Sequence, residues 1–197
     1  MTKQAIFVMM DDYADWEGAY LSRMLNTAPD WTVKTASTQK EIKSIGGLTT
    51  KVDYQINQIP RDCALLVLIG GNSWTIDNEW LKQLIISRLH NGQPVAAICG
   101  AVDYLARNGL LNDYQHTGNA QYLWQDDNQY QNPTGFIAQQ AVQDRNLVTA
   151  NGTAALDFTE AVLKMVAFKP DDQVHQDVDL YRIGYYQYCQ KYGNPFP

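Results

Sequence analysis

Apolar runs alternate with helical patterns from the start of the chain to about Phe168. Alternation of this kind is the signature of βαβ units around a parallel sheet. Gln4 to Met10 reads as a buried strand, and Asp15 to Ala28 carries Trp16, Ala19, Tyr20, Leu21, Met24 and Leu25 at helical spacing before Pro29. Trp31 to Ala36 is a short strand. Ile42 to Val52 places Gly46-Gly47 between β-compatible flanks, which predicts a hairpin. Cys63 to Ile69 is a continuous apolar strand stopping at Gly70-Gly71, and a helix from Asn78 to Leu89 ends at Asn91-Gly92. Val95 to Ile98 is the next strand, with Cys99 at its end, and Gly100 to Arg107 returns to helical spacing. Asp113 to Thr134 is polar and aromatic without a period, which suits a functional loop. Phe136 to Val142 and Asn146 to Ala150 predict a hairpin through Asp144-Arg145, and Ala154 to Phe168 a further helix stopped by Pro170. Beyond it Val174, Val178, Tyr181, Tyr185, Tyr188 and Tyr192 mark one helix face. The expected organisation is an α/β domain over residues 1–170 and a helical tail over 171–197 that packs on the domain or on a partner.

Composition narrows the class. A chain of 197 residues buries roughly 70% of its unfolded surface and needs no covalent staples. It has no run of ~18 apolar residues to cross a membrane. Its start lacks the small-residue cleavage site of a signal peptide. The cysteines, Cys63, Cys99 and Cys189, are odd in number and lack a C-x-x-C pair, against both a disulfide framework and a zinc site. A reducing, cytoplasmic setting without a metal or other cofactor is the expectation. The net charge of −6, without a Lys/Arg cluster, argues against nucleic acid as a partner.

The segment PVAAICGA carries the most chemistry. A strand ending in a nucleophile, followed at once by small residues and a helix, is the elbow geometry that exposes a side chain above a sheet. The helix from Gly100 aims its free N–H groups at the Cys99 sulfur, which favours the thiolate. The alternative is a strand-end cysteine packed as a small hydrophobe.

The order of motifs extends the picture. The stretch DDYADWEGAYL after the first strand, a strand ending in IGG, then AAICGA and later LVTANGTAALDFTEAVL together resemble the ThiJ/PfpI superfamily, from about Gln4 to Phe168. The resemblance implies the flavodoxin-like, class I glutamine amidotransferase-like fold: a doubly wound, mostly parallel sheet sandwiched by helices, in a homodimer, with a nucleophilic, oxidisable cysteine. Carried over residue by residue, Cys99 is the elbow cysteine and Glu17 the acid that meets its sulfur, with a carboxyl pKa raised by the neighbouring anion and by burial. The pair Gly70-Gly71 follows Ile69, where the superfamily often has proline, and the N–H groups of Gly71 and Gly100 are expected to face an oxyanion. His116 lies 17 residues beyond Cys99, on the loop where hydrolase and glyoxalase-like members place a base or proton shuttle. Surface roles for Glu17 and His116 are the competing readings.

Two departures bear on function. The protease-like branch has histidine directly after its cysteine, where this chain has Gly100, so peptidase activity is doubtful. The His-x-acid pattern of true glutaminases is met only by His175-Gln176-Asp177, in the tail. The leading expectation is a cysteine-dependent enzyme of a small carbonyl or amide substrate. A redox-responsive or chaperone-like protein oxidised at Cys99 is the second reading, and a catalytically silent binding domain the third.

Overall fold

The computed structural model describes residues 2–196, so Met1 and Pro197, the outer limits of the two expected regions, lie outside them. Chain order gives β1 (Lys3–Val8), α1 (Ala19–Asn26), β2 (Trp31–Ser37), β3 (Glu41–Lys43), β4 (Thr49–Lys51), β5 (Tyr54–Gln55), β6 (Leu65–Leu68), α2 (Glu79–His90), β7 (Val95–Ile98), α3 (Gly100–Arg107), β8 (Ala141–Asp144), β9 (Leu147–Ala150), α4 (Ala155–Met165), α5 (Asp171–Arg182) and α6 (Tyr185–Tyr192). The main sheet runs β5-β2-β1-β6-β7-β9-β8. All neighbours are parallel except β8, which pairs antiparallel with β9 at one edge. β3 and β4 form the separate hairpin expected around Gly46-Gly47.

Both faces of the sheet are covered, which is why its strands read as unbroken apolar runs. Ile6, Val8, Leu66, Leu68, Val95 and Ala97 point into one core with α2 and α3. Their alternates Ala5, Phe7, Leu65, Val67, Ala96 and Ile98 point into the other, with α1, α4 and α5. From β1 the chain winds first to β2 and β5, then back across to β6, β7 and β9. Sheets of this kind collect ligands outside the carboxyl ends of the strands at that reversal.

Four expected elements differ. The first helix starts at Ala19 rather than Asp15, because residues 15–17 are tied to other loops. Asp15 accepts from Ser44 Oγ at 2.6 Å and Gly46 N–H at 3.1 Å, and Glu17 accepts from Gly70 N–H. The strand expected from Phe136 begins only at Ala141. Upstream of it the chain pairs with the His116 loop instead of β9: Ile137 N–H donates to His116 O at 2.8 Å, and Gln139 O accepts from Thr117 Oγ1 at 2.8 Å. The aperiodic loop is packed around Trp124, which is buried and donates from Nε1 to Asp103 at 2.8 Å. The tail is two helices, broken at Gly184, whose φ of +80° suits glycine. Val174, Val178 and Tyr188 are buried while Tyr181 and Tyr185 stay exposed, so the single face splits. Asp179 joins the two helices, accepting from Lys191 at 3.0 Å and Tyr192 at 2.9 Å. Among the described residues no helix is long and apolar enough to cross a membrane.

Candidate active site

Four strand ends converge on one sulfur: Glu17 follows β1, Gly70-Gly71 follows β6, Cys99 follows β7, and Gly152 follows β9. Cys99 sits at φ 59°, ψ −129°. A residue with a Cβ is strained there by about 1–3 kcal/mol, a cost met by the packed strand before it and the helix after it. Its own N–H donates to Ala150 O at 2.9 Å and its carbonyl accepts from Val102 N–H at 2.9 Å. The next position must be small, because a Cβ on Gly100 would lie 2.5 Å from the Gly71 carbonyl oxygen.

Glu17 is fully buried. Its Oε2 accepts from Gly70 N–H at 2.8 Å, and its Oε1 has no conventional partner. Beside that orphan oxygen lies the Cys99 sulfur: a Cβ built on Gly152 would stand 2.8 Å from Sγ and 3.1 Å from Oε1. Burial pushes the Glu17 carboxyl up from 4.5 to about 7, against the lowering contacts with Cys99 and Gly70. A proton on Oε1 satisfies the orphan atom and supplies a donor for the sulfur.

The Cys99 thiol is also pushed up, first by burial and then by the Glu17 carboxylate, against the Asn119 amide and the Gly100 N–H that favour its thiolate. This corrects the expectation from sequence that the helix terminus favours the thiolate. The terminus is present, but burial of the thiol, with the Glu17 carboxylate facing it, outweighs it. Glu17 and Cys99 therefore share protons as a pair.

Asn119 was not singled out in the sequence. Its Nδ2 donates to Cys99 Sγ at 3.3 Å, and its Oδ1 accepts from Gly152 N–H at 2.9 Å. Gly152 O accepts in turn from Trp16 Nε1 at 3.1 Å. An asparagine three residues past His116 in a polar loop carries no local signal. Only the pairing of that loop with β9, through Thr117 N–H to Thr149 Oγ1 at 2.9 Å, delivers it.

His116 is a correction: the structure does not bring its ring into hydrogen-bond contact with the sulfur. It is fully buried, its Nδ1 paired with Tyr114 O at 2.8 Å and its Nε2 with Tyr130 OH at 2.8 Å. Tyr114 O can only accept, which assigns the proton to Nδ1 and leaves Nε2 to accept from the tyrosine. Burial pushes its pKa down, against the bond to Tyr114, and keeps the ring neutral. Trp124, Tyr130 and Phe136 surround it. His116 is thus packed within the loop that carries Asn119. His116→Phe is expected to lower the melting temperature by several degrees, since it unpairs buried groups worth about 1–3 kcal/mol. The pH profile of Cys99 alkylation should stay superimposable on that of the unaltered protein, and a shifted profile would restore the histidine to the chemistry.

Gly71, at φ 140°, passes under Asp12 and Tyr13, and its carbonyl faces Gly100. Gly100 N–H is the member of the expected oxyanion pair that reaches the sulfur. Cys63 lies elsewhere, buried with Arg88 Nη1 at 2.9 Å from its carbonyl and 3.1 Å from its sulfur, and burial raises its pKa. Among the described residues no group of three or more His, Cys, Asp or Glu side chains is placed to hold a metal ion.

Comparison with known proteins places the chain among relatives of one family. The chain is 49% identical over 194 residues, 98% of both chains, to the "Uncharacterized protease YdeA" of Bacillus subtilis (strain 168). It is 35% identical over 182 residues, 86% of this chain and 87% of the other, to the "Uncharacterized protease YoaZ" of the same organism. A solved thiJ/pfpI family protein from Bacillus anthracis superposes with a TM-score of 0.84 at 32% identity, covering 97% of this chain and 95% of that one. A DJ-1 superfamily protein from Agrobacterium tumefaciens gives 0.82 at 28%, covering 92% of this chain and 100% of that one. With the DJ-1/PfpI family model matching residues 3–165 around a strand-end cysteine and its buried acid, the chain belongs to the DJ-1/PfpI family.

Proposed function

We propose that the protein is a cysteine-dependent enzyme of small carbonyl compounds, in which Cys99 attacks and Glu17 carries the proton. The observation that supports this most is the orphan Oε1 of a fully buried Glu17 beside the Cys99 sulfur, on a carboxyl whose pKa stands at about 7. A proton carrier is most effective when its pKa is near the working pH.

The sulfur adds to a carbonyl carbon, the C=O π pair moves to oxygen, and the proton held by the pair ends on that oxygen. Glu17, now ionised, takes a proton from the same carbon of a dicarbonyl and returns it to the neighbouring carbon, while the hydroxyl proton passes from the first oxygen to the neighbouring one. This converts the adduct to a thioester that water cleaves, giving a hydroxy acid and the free thiol. No redox partner is consumed. Gly100 N–H and the Asn119 amide favour the thiolate at the start.

The name protease borne by the two curated relatives finds no support in this site. Gly100 follows the cysteine, and both ring nitrogens of His116 are engaged elsewhere.

The test is inactivation by iodoacetamide. Loss of methylglyoxal turnover should follow carboxamidomethylation of Cys99 in proportion, mapped by mass, with Cys63 and Cys189 unmodified at half-inactivation. Turnover that persists with Cys99 fully blocked defeats the reading.

A second reading has its own support, because three donors converge on the sulfur: Gly100 N–H, Asn119 Nδ2 and a protonated Glu17. They suit the oxygens of a sulfinate. The thiolate reaches that state by reducing two equivalents of peroxide to water. Intact mass after mild peroxide separates this from turnover.

A further inference from the structure

Besides Cys99 and Gly152, which its side chain bonds, Asn119 adjoins an open groove of about 350 Å³ between the loop after His116 and the segment before β8. That volume is in the range of small-molecule sites. Five of the residues lining the groove are carboxamides, Asn119, Gln121, Gln139, Gln140 and Asn151, and none is charged. Phe136 and Ala138 also form part of its wall.

Part of this amide set is bonded within the chain: Asn119 to Cys99 and Gly152, Gln121 Nε2 to the Pro133 carbonyl, and Asn151 Nδ2 to Gln140 Oε1. This fixes the walls and leaves Gln121 Oε1, Gln140 Nε2 and the Gln139 amide without a hydrogen bond to the described residues. Thr117 Oγ1 donates to the Gln139 carbonyl at 2.8 Å, and Asn151 N–H to the Gln140 carbonyl at 3.1 Å. The Gln139 side chain is exposed and makes no hydrogen bond to the described residues. A carboxamide presents both a donor and an acceptor, so a row of them matches hydroxyl and amide groups. It gives a carboxylate or phosphate no cation in exchange for lost water, and the net charge of −6 repels anions further. A purely alkyl chain would leave the amides unpaired when it covered them.

We propose that this groove is the substrate cleft of Cys99 and that it selects uncharged carbonyl compounds bearing hydroxyl or amide groups, with Asn119 at the junction between the cleft and the reacting atom. The proposal rests on the reading of Cys99 as a carbonyl nucleophile. Binding places the carbonyl carbon at the sulfur and the hydroxylated remainder along Gln121, Gln139 and Gln140. The covalent step is the reversible addition already described, with the proton of the Glu17–Cys99 pair ending on the former carbonyl oxygen.

The experiment compares three four-carbon aldehydes, erythrose, butanal and succinic semialdehyde, as protectants of Cys99 against iodoacetamide, with methylglyoxal as a probe too small to fill the groove. Erythrose should half-protect at about tenfold lower concentration than either of the others, the worth of one or two net hydrogen bonds. Ala138→Trp, which fills the groove from an exposed position, should abolish that preference. Gln139→Lys, also at an exposed position, should give succinic semialdehyde the advantage. Equal protection by the three aldehydes, or a preference for erythrose that survives both substitutions, overturns the cleft while leaving Cys99 as a carbonyl nucleophile. If methylglyoxal too fails to protect, the carbonyl reading itself falls, and the cleft with it.

Discussion

Cys99→Ser is expected to leave no turnover of methylglyoxal above background, and Glu17→Gln to lower kcat by roughly 10² to 10⁴. The glutamine keeps the shape and the acceptor for Gly70 N–H, so its loss isolates the proton from the packing. The pair releases its first proton at about 7 and holds the second upward, so the singly protonated, reactive form appears as pH rises through about 7. Rate measurements across pH should show that limb in the unaltered protein and its absence in Glu17→Gln. Stability moves the other way. The folded pKa of about 7 lies above the ordinary 4.5, so folded Glu17 binds its proton more tightly than the unfolded chain does. Its stabilising contribution is full below pH 4.5 and is lost as pH rises toward 7, with a slope of up to about 1.4 kcal/mol per pH unit. Denaturant melts of the two proteins between those limits should diverge with that sign. A Glu17→Gln enzyme with unchanged rate and unchanged pH profile would remove Glu17 from the reaction.

Gly70→Ala should be among the most destabilising single substitutions in the chain. An added Cβ would lie 2.5 Å from Cys99 Cβ, 2.6 Å from Glu17 Oε2 and 2.7 Å from the Ile98 carbonyl oxygen. None of these is the free end of a flexible chain, so β6, β7 and the Glu17 turn must separate. Overpacking of this kind costs roughly 3 kcal/mol, a fall in melting temperature of about 6–12 °C at this chain length. Gly92→Ala is the control. Its φ of +68° opposes a side chain, but no atom lies within 4 Å, so only the backbone penalty of about 1–2 kcal/mol applies. Thermal melts that rank the two equally would show that the strand ends around Cys99 are looser than their contacts imply.

The sequence by itself determined the alternation of strands and helices, the hairpin at Gly46-Gly47 and the place of Cys99 at the end of β7, and through the resemblance it raised the expectation of Glu17 beside it. All but that expectation about Glu17 are local or nearly local facts. Apolar runs that must be buried on both faces announce central parallel strands. A cysteine between VAAI and a helix lies where only a sharp turn fits. The tertiary structure decided what depends on distant segments. Asn119 and Gly152 reach the sulfur only because the loop after His116 lies across β9, an arrangement that leaves no spacing in the chain. His116 has the residue type expected of a base, but its role follows from the aromatic packing around it and the two partners that occupy its ring. The protonation of Cys99 was beyond reading for the same reason. A helix terminus is visible in sequence, whereas burial beside a carboxyl 82 positions earlier is a property of the folded sheet.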